Sequence, residues 1–265
     1  MPPEATDLLA LALETAREAG AFVREMRERG VDVAATKSSP TDVVTAADRA
    51  SEDLIRERLL GARPEDAFFG EESADGDSGA GTSGVRWVVD PIDGTVNYLY
   101  GLPQYAVSIG VSVNGEMVAG AVVAPALDLE YAASLGGGAT RNGVPLERRG
   151  SPAIDQTLVA TGFSYERDVR AHQAQAVARL LPQVRDIRRG GSCALDLCAL
   201  AAGQVDAYVE EGPALWDHAA GGLIAGECGA RIVVAPTPRG MDLVVCAPLD
   251  GYEDFSALVR SCGFL

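Results

Sequence analysis

Two aspartates three residues apart, Asp90 and Asp93, carry the strongest chemical signal in this chain. They follow an apolar run, Val85 to Val89, that reads as a buried strand, and they precede Gly94-Thr95. A strand that delivers carboxylates at its carboxyl end gathers negative charge at one point. Pro91 between them supplies no N–H and stiffens the turn. Gly94 and Thr95 read as the opening of a helical turn, where backbone N–H groups lack internal partners and favour an anion. Carboxylates would hold cations, and the cations with the N–H groups would hold phosphate. Two further acidic signals have the same character. Glu71-Glu72 ends the short strand Ala67 to Phe69, and Asp217 follows Trp216 at the start of a predicted helix. The chain has only His172 and His218 as histidines, so hard, oxygen-ligated Mg²⁺ fits better than a transition metal.

The elements that must position these groups are legible from periodicity. Residues 6–29 carry Leu8, Leu9, Ala12, Ala16, Ala19, Val23 and Met26 at helical spacing, with Thr6 as the expected cap and Gly30 as the stop. A second helix is predicted from about Ala46 to Leu60. Thr45 with Asp48 is a capping-type start, and Gly61 is the expected stop. Tyr105 to Val113 and Met117 to Ala124 alternate around Asn114-Gly115, a hairpin signal. Leu129 to Ala133 continues the sheet, and Asn142-Gly143 marks another turn. The Gly-rich, polar stretch 73–84 reads as a mobile surface loop.

After Pro152, strands at 157–161, 184–188, 205–209, 230–234 and 243–247 alternate with helices near 168–181, 193–202, 216–228 and 252–261. The expected division is therefore residues 1–150 and residues 151–265. The first part pairs two helices with a mainly antiparallel sheet and carries most of the acidic groups. The second is an α/β lobe.

Composition narrows the class. Asp and Glu number 38 against 22 Lys and Arg, a net charge of -16. That balance argues against a nucleic-acid binder and against attachment to an anionic membrane. No membrane span or basic-then-apolar leader is read, and a cytoplasmic protein is expected. Five cysteines without a CxxC pair read as reduced, mostly buried thiols. Lys37 is the only lysine, inside a polar segment between the first two helices, and reads evenly as functional or as a solvated amine. His218 reads as structural, Trp216 as an anchor for the helix bearing Asp217, and Cys193 and Cys198 as packing residues.

Five blocks in order then give a resemblance. They are KSSPTDVVTAADR (37–49), FFGEES (68–73), WVVDPIDGTVNY (87–98), GSCALDLC (191–198) and DAYVEEGPALWDHAAG (206–221). Together they resemble the inositol monophosphatase family of Mg²⁺-dependent, lithium-sensitive phosphatases. The resemblance implies a layered αβαβα fold of the α/β (α+β sandwich) class and a homodimer. It also implies hydrolysis of inositol 1-phosphate by a metal-activated water, without a phosphoenzyme.

Roles carry over by motif. Glu71, Asp90, the Ile92 carbonyl, Asp93 and Asp217 resemble metal ligands, with Asp90 bridging two ions; Glu72 is a less certain neighbour. Thr95 and Asp48 resemble the pair that orients the water. Asp93, Gly94, Thr95, Ser192, Cys193, Glu210 and Asp217 resemble the substrate-binding set, with Glu210 on sugar-like hydroxyls. Cys193 stands where many relatives have alanine. Close alternatives are phosphatases of histidinol phosphate, fructose 1,6-bisphosphate or phosphoadenosine phosphate. A retired, cation-binding relative would lack one of these groups. A carboxylate-pair glycosidase would not need the Gly-Thr anion cradle.

Overall fold

The computed structural model describes residues 3–30, 33–36, 43–73, 81–147 and 150–265. Lys37 and most of the 73–84 stretch lie outside the described residues. Helix α1 (Pro3–Arg29) is followed by β1 (Val33–Thr36) and β2 (Val43–Thr45), an antiparallel pair, and by α2 (Ala46–Ala62). The first large sheet is built from β3 (Ala67–Gly70), β4 (Val85–Asp93), β5 (Ala106–Val113), β6 (Glu116–Ala124), β7 (Leu129–Ser134), β8 (Gly138–Arg141) and β9 (Val144–Pro145). A short helix, α3 (Thr95–Tyr100), interrupts it after β4. The strands lie in chain order, and only β3 and β4 are parallel. The remainder is β10 (Leu158–Thr161), α4 (Arg167–Leu180), β11 (Asp186–Arg188), α5 (Cys193–Ala201), β12 (Ala207–Glu211), α6 (Leu215–Glu227), β13 (Ala230–Pro236), β14 (Asp242–Pro248) and α7 (Tyr252–Ser261). Its sheet has the order β11-β10-β12-β14-β13, with β10 parallel to both its neighbours and β14 antiparallel to both of its own.

Three apolar cores separate five layers, an αβαβα sandwich. The first lies between α1/α2 and the first sheet and contains Leu8, Val23, Ile55, Trp87, Val89 and Ile109. The second joins the inner faces of both sheets through α5 and α6, with Val122 and Tyr131 on one side and Tyr208 and Val244 on the other. The third lies between the second sheet and α4/α7 and contains Val159, Leu180, Val209, Phe255 and Val259. The middle core therefore draws on residues from both sides of position 150.

Small residues make the middle layer possible. An added Cβ on Gly120 of β6 would sit 2.9 Å from the Ala220 carbonyl oxygen, so α6 lies almost on the backbone of the sheet. That contact fixes the depth at which the start of α6 enters the site.

Two expected boundaries shift. Thr6 lies inside α1, which begins at Pro3; proline is tolerated in a first turn because its missing N–H would have no helical partner there. Gly61 also lies inside its helix, which closes only when the Arg63 N–H donates to the Leu59 carbonyl. The Asn114-Gly115 and Asn142-Gly143 turns form as expected, all four residues having positive φ.

Candidate active site

The β4 strand does not stop at Asp90, as the sequence suggests, but runs on through Asp93. In an unbroken strand, residues three apart face opposite sides of the sheet. Here Asp90 pairs with Ser108 and Asp93 with Ala106, so three steps on β4 match two on β5. This bulge absorbs one residue and restores parity. Pro91 sits within the bulge, where its missing N–H costs no ladder bond. Both carboxylates consequently meet Asp217 on one side, the three offering oxygens within 4.8 Å of one another.

Each carboxylate is held by donors from a different element. The Ile92 N–H donates to Asp90 Oδ1 at 2.9 Å. Asp93 Oδ2 accepts from Ser192 Oγ at 2.6 Å and from the Ala194 N–H at 2.7 Å, at the start of α5. Asp217, in the first turn of α6, accepts from the Ala214 N–H at 2.6 Å. The Trp216 ring packs on Phe69 with centroids 5.2 Å apart, anchoring this end of α6 to β3, as the sequence suggests. Glu71 follows β3, and its N–H donates to the Val89 carbonyl at 3.1 Å, which seats it beside β4.

Electrostatically the cluster is unbalanced. Burial, then Glu71, Asp93 and Asp217, pushes Asp90 well above the usual carboxylate range. Burial, then Asp93 and Glu71, does the same to Asp217. Burial raises Asp93 to about 6, opposed by its bonds from Ser192, Ala194 and Cys193. Like charges packed this closely without a counter-charge are costly to ionise together. An all-oxygen donor set of this kind fits hard divalent cations, which remove that cost. Glu71, Asp90, the Ile92 carbonyl, Asp93 and Asp217 are the groups that would hold them.

Beside this cluster Thr95 Oγ1 lies 3.1 Å from Asp48 Oδ1 and 3.2 Å from the Ile92 carbonyl oxygen. Asp48 is fully buried. Its other oxygen, Oδ2, accepts from the Thr45 N–H at 2.8 Å and Oγ1 at 2.5 Å, closing the capping box that begins α2. One carboxylate thus serves a helix start with one oxygen and Thr95 with the other. Gly94 caps α3 at φ +94, a conformation that a side chain would strain. The N–H groups of Gly94 and Thr95 occupy the open start of that helix.

These groups share a cavity of about 430 Å³ with Ser192, Cys193, Glu210 and a wall formed by residues 162–166. All site residues named from the sequence therefore converge here, except Asp48, which reaches the cavity through Thr95. Glu72 does not line the cavity, and its N–H donates to Glu52 Oε2 at 2.7 Å.

Three supporting residues were not singled out from sequence. Glu52, buried, also binds Ser73 and thereby fixes the segment that carries Glu71. Its place four residues after Asp48 on α2 was the available signal. Asn97, buried at 4% exposure, donates to the Gln104 and Gly190 carbonyls at 2.6 and 2.9 Å and ties α3 to the loop before α5. Arg189 is the one basic residue among the described residues of the cavity wall, and its charge favours ionised Glu210 and Asp93. All five cysteines are free and buried. His218 is partly buried, and burial lowers its pKa. No helix among the described residues is long and apolar enough to cross a membrane.

The sequence profile of the inositol monophosphatase family matches residues 4–249. An inositol-1-monophosphatase of Mycobacterium bovis is 45% identical over 98% of this chain and 96% of that protein. A protein of Pasteurella multocida named Nus factor SuhB is 37% identical over 85% of this chain and 84% of its own length. The solved structure of Mycobacterium tuberculosis SuhB superposes with a TM-score of 0.84 at 41% identity, covering 97% of both chains. The inositol monophosphatase from Anabaena (Nostoc) sp. PCC 7120 gives a TM-score of 0.84 at 30% identity, over 97% of this chain and 96% of that one.

Proposed function

The chain belongs to the inositol monophosphatase family and is a phosphoric monoester hydrolase, and from that premise we propose that it hydrolyses inositol 1-phosphate with Mg²⁺. The observation that carries this reading is the meeting of Asp90, Asp93 and Asp217 at one point of a cavity that also holds Thr95 and Glu210. Mg²⁺ bound there would neutralise the carboxylates, lower the pKa of a coordinated water and offset charge on the leaving oxygen.

The protein's own groups do the rest. Thr95 Oγ1 accepts a hydrogen bond from the attacking water while Asp48 fixes the hydroxyl's orientation. The Gly94 and Thr95 N–H groups bind the phosphate oxygens as charge builds on them. Ser192 and the Ala194 N–H keep Asp93 in place, so it faces both the cation cluster and a substrate hydroxyl. Glu210 accepts hydrogen bonds from the polyol, with Cys193 closing the pocket beside it.

Some relatives carry the name Nus factor SuhB. The net charge of -16 and the filled carboxylate set favour the small phosphorylated polyol. A homodimer, a cytoplasmic location and inhibition by Li⁺ in place of Mg²⁺ belong to the same proposal.

Phosphate release with Mg²⁺ across inositol 1-phosphate, histidinol phosphate, fructose 1,6-bisphosphate and phosphoadenosine phosphate tests the reading, with Asp90→Asn alongside. Inositol 1-phosphate should lead, and the variant should be inert. A lead by histidinol phosphate overturns the substrate, and silence on all four overturns catalysis.

A further inference from the structure

Tyr208 is fully buried and its ring belongs to the core between the two sheets, yet its hydroxyl reaches the cavity wall. It lies two residues before Glu210 on β12, so both side chains leave the same face of the strand. The phenol oxygen is 2.9 Å from Glu210 Oε2 and 2.9 Å from Cys193 Sγ. A phenol has one proton to give. An ionised carboxylate is a far better acceptor than a thiol, so the proton goes to Glu210 and the Cys193 S–H points back to the phenol oxygen. Burial raises both the Cys193 thiol and the Tyr208 phenol well above their ordinary values, which keeps each protonated and able to donate.

The far side of Glu210 is equally constrained. A Cβ on Gly162 would fall 2.1 Å from both carboxylate oxygens, so the carboxylate lies flat on bare backbone. Gly162 sets where the carboxylate can be. Tyr208 decides how it is turned and which oxygen remains for substrate.

We propose that Tyr208 is a positioning residue for polyol recognition, acting through Glu210, with Cys193 as the donor that orients its hydroxyl. The inference rests on the reading of Glu210 as the polyol-binding residue. Tyr208→Phe keeps the ring in the core and removes only the hydroxyl. Loss of a hydrogen bond to a carboxylate should raise KM for inositol 1-phosphate about tenfold at nearly constant kcat. KM for p-nitrophenyl phosphate, which has no polyol to read, should not move.

The double variant with Glu210→Gln separates positioning from general damage. If Tyr208 acts through Glu210, the KM penalty of Tyr208→Phe disappears in that background. Carbon-13 NMR of the Glu210 carboxyl gives a readout independent of turnover. Glu210 is raised by burial to about 7 while the Tyr208 bond holds it down, so its midpoint should climb in Tyr208→Phe. Full additivity of the two substitutions, or an unmoved midpoint, overturns the inference. Should Glu210→Gln leave inositol 1-phosphate turnover intact, the role assigned to Glu210 fails and the positioning role falls with it. Should Glu210→Gln raise KM and Tyr208→Phe not, only the positioning role falls.

Discussion

The two sheets meet at one cavity and equip it in opposite ways. The first sheet contributes Asp90 and Asp93 from a bulged strand, each pinned by a backbone N–H and mutually repelling. The second contributes Glu210, held by a phenol that a thiol contacts in turn, and eased by Arg189. The first arrangement is rigid and incomplete, because only cations can balance it. The second is partly balanced by side chains, the Tyr208 hydroxyl and Arg189 opposing the burial that raises Glu210. A phosphate ester has the same two parts: a charged group common to every substrate and an alcohol that differs between them. Rigid backbone clamps suit the common part, and exchangeable side chains suit the variable one.

The comparison breaks if substitutions on the two sides act alike. Asp90→Asn, on the phosphate side, should lower kcat/KM by about 10³-fold or more on every phosphomonoester, as measured by phosphate release. Thr95→Ala should lower kcat about 10²-fold with little change in KM, since it orients the water without holding the alcohol. Glu210→Gln, on the other side, should raise KM roughly tenfold for inositol 1-phosphate only. An equal loss on p-nitrophenyl phosphate would erase the distinction.

Thermal unfolding sharpens it further. Asp93 rises from 3.8 to about 6 on folding, so within that window the folded state keeps a proton that the unfolded chain has lost. Stability of the metal-free protein therefore falls as pH rises through the window. Asp90 and Asp217, also raised by burial, act in the same direction. Cations bind the deprotonated carboxylates, so saturating Mg²⁺ should raise Tm by roughly 5 °C near pH 7.5 and by less near pH 5. A metal effect that is larger at the lower pH contradicts the assignment of charge to this cluster.

Local rules exposed much of this architecture in the sequence. The Thr45–Asp48 cap, the Asn-Gly turns and the alternation of strands and helices after Pro152 each depend on residues close in sequence. The carboxylates were legible because their types and spacing are unusual. What sequence alone hid was non-local. The continuation of β4 depends on its pairing with β5, which overrides the stop suggested by Pro91. Glu52 and Asn97 matter through bonds to residues 20 and 93 positions away, which no short pattern signals. The helices run past the local boundaries that Thr6 and Gly61 suggest, because packing on the sheet extends a helix past weak local signals.

The extra residue in β4 also changes what kind of information the site contains. Adding one residue to β5 between Ala106 and Ser108 would let the ladder pair evenly, with every functional side chain present and every letter of the motif in place. It would nevertheless turn one of the two aspartates toward the face that α1 and α2 cover. The site is thus written in the pairing of two strands as well as in the residues that do the chemistry.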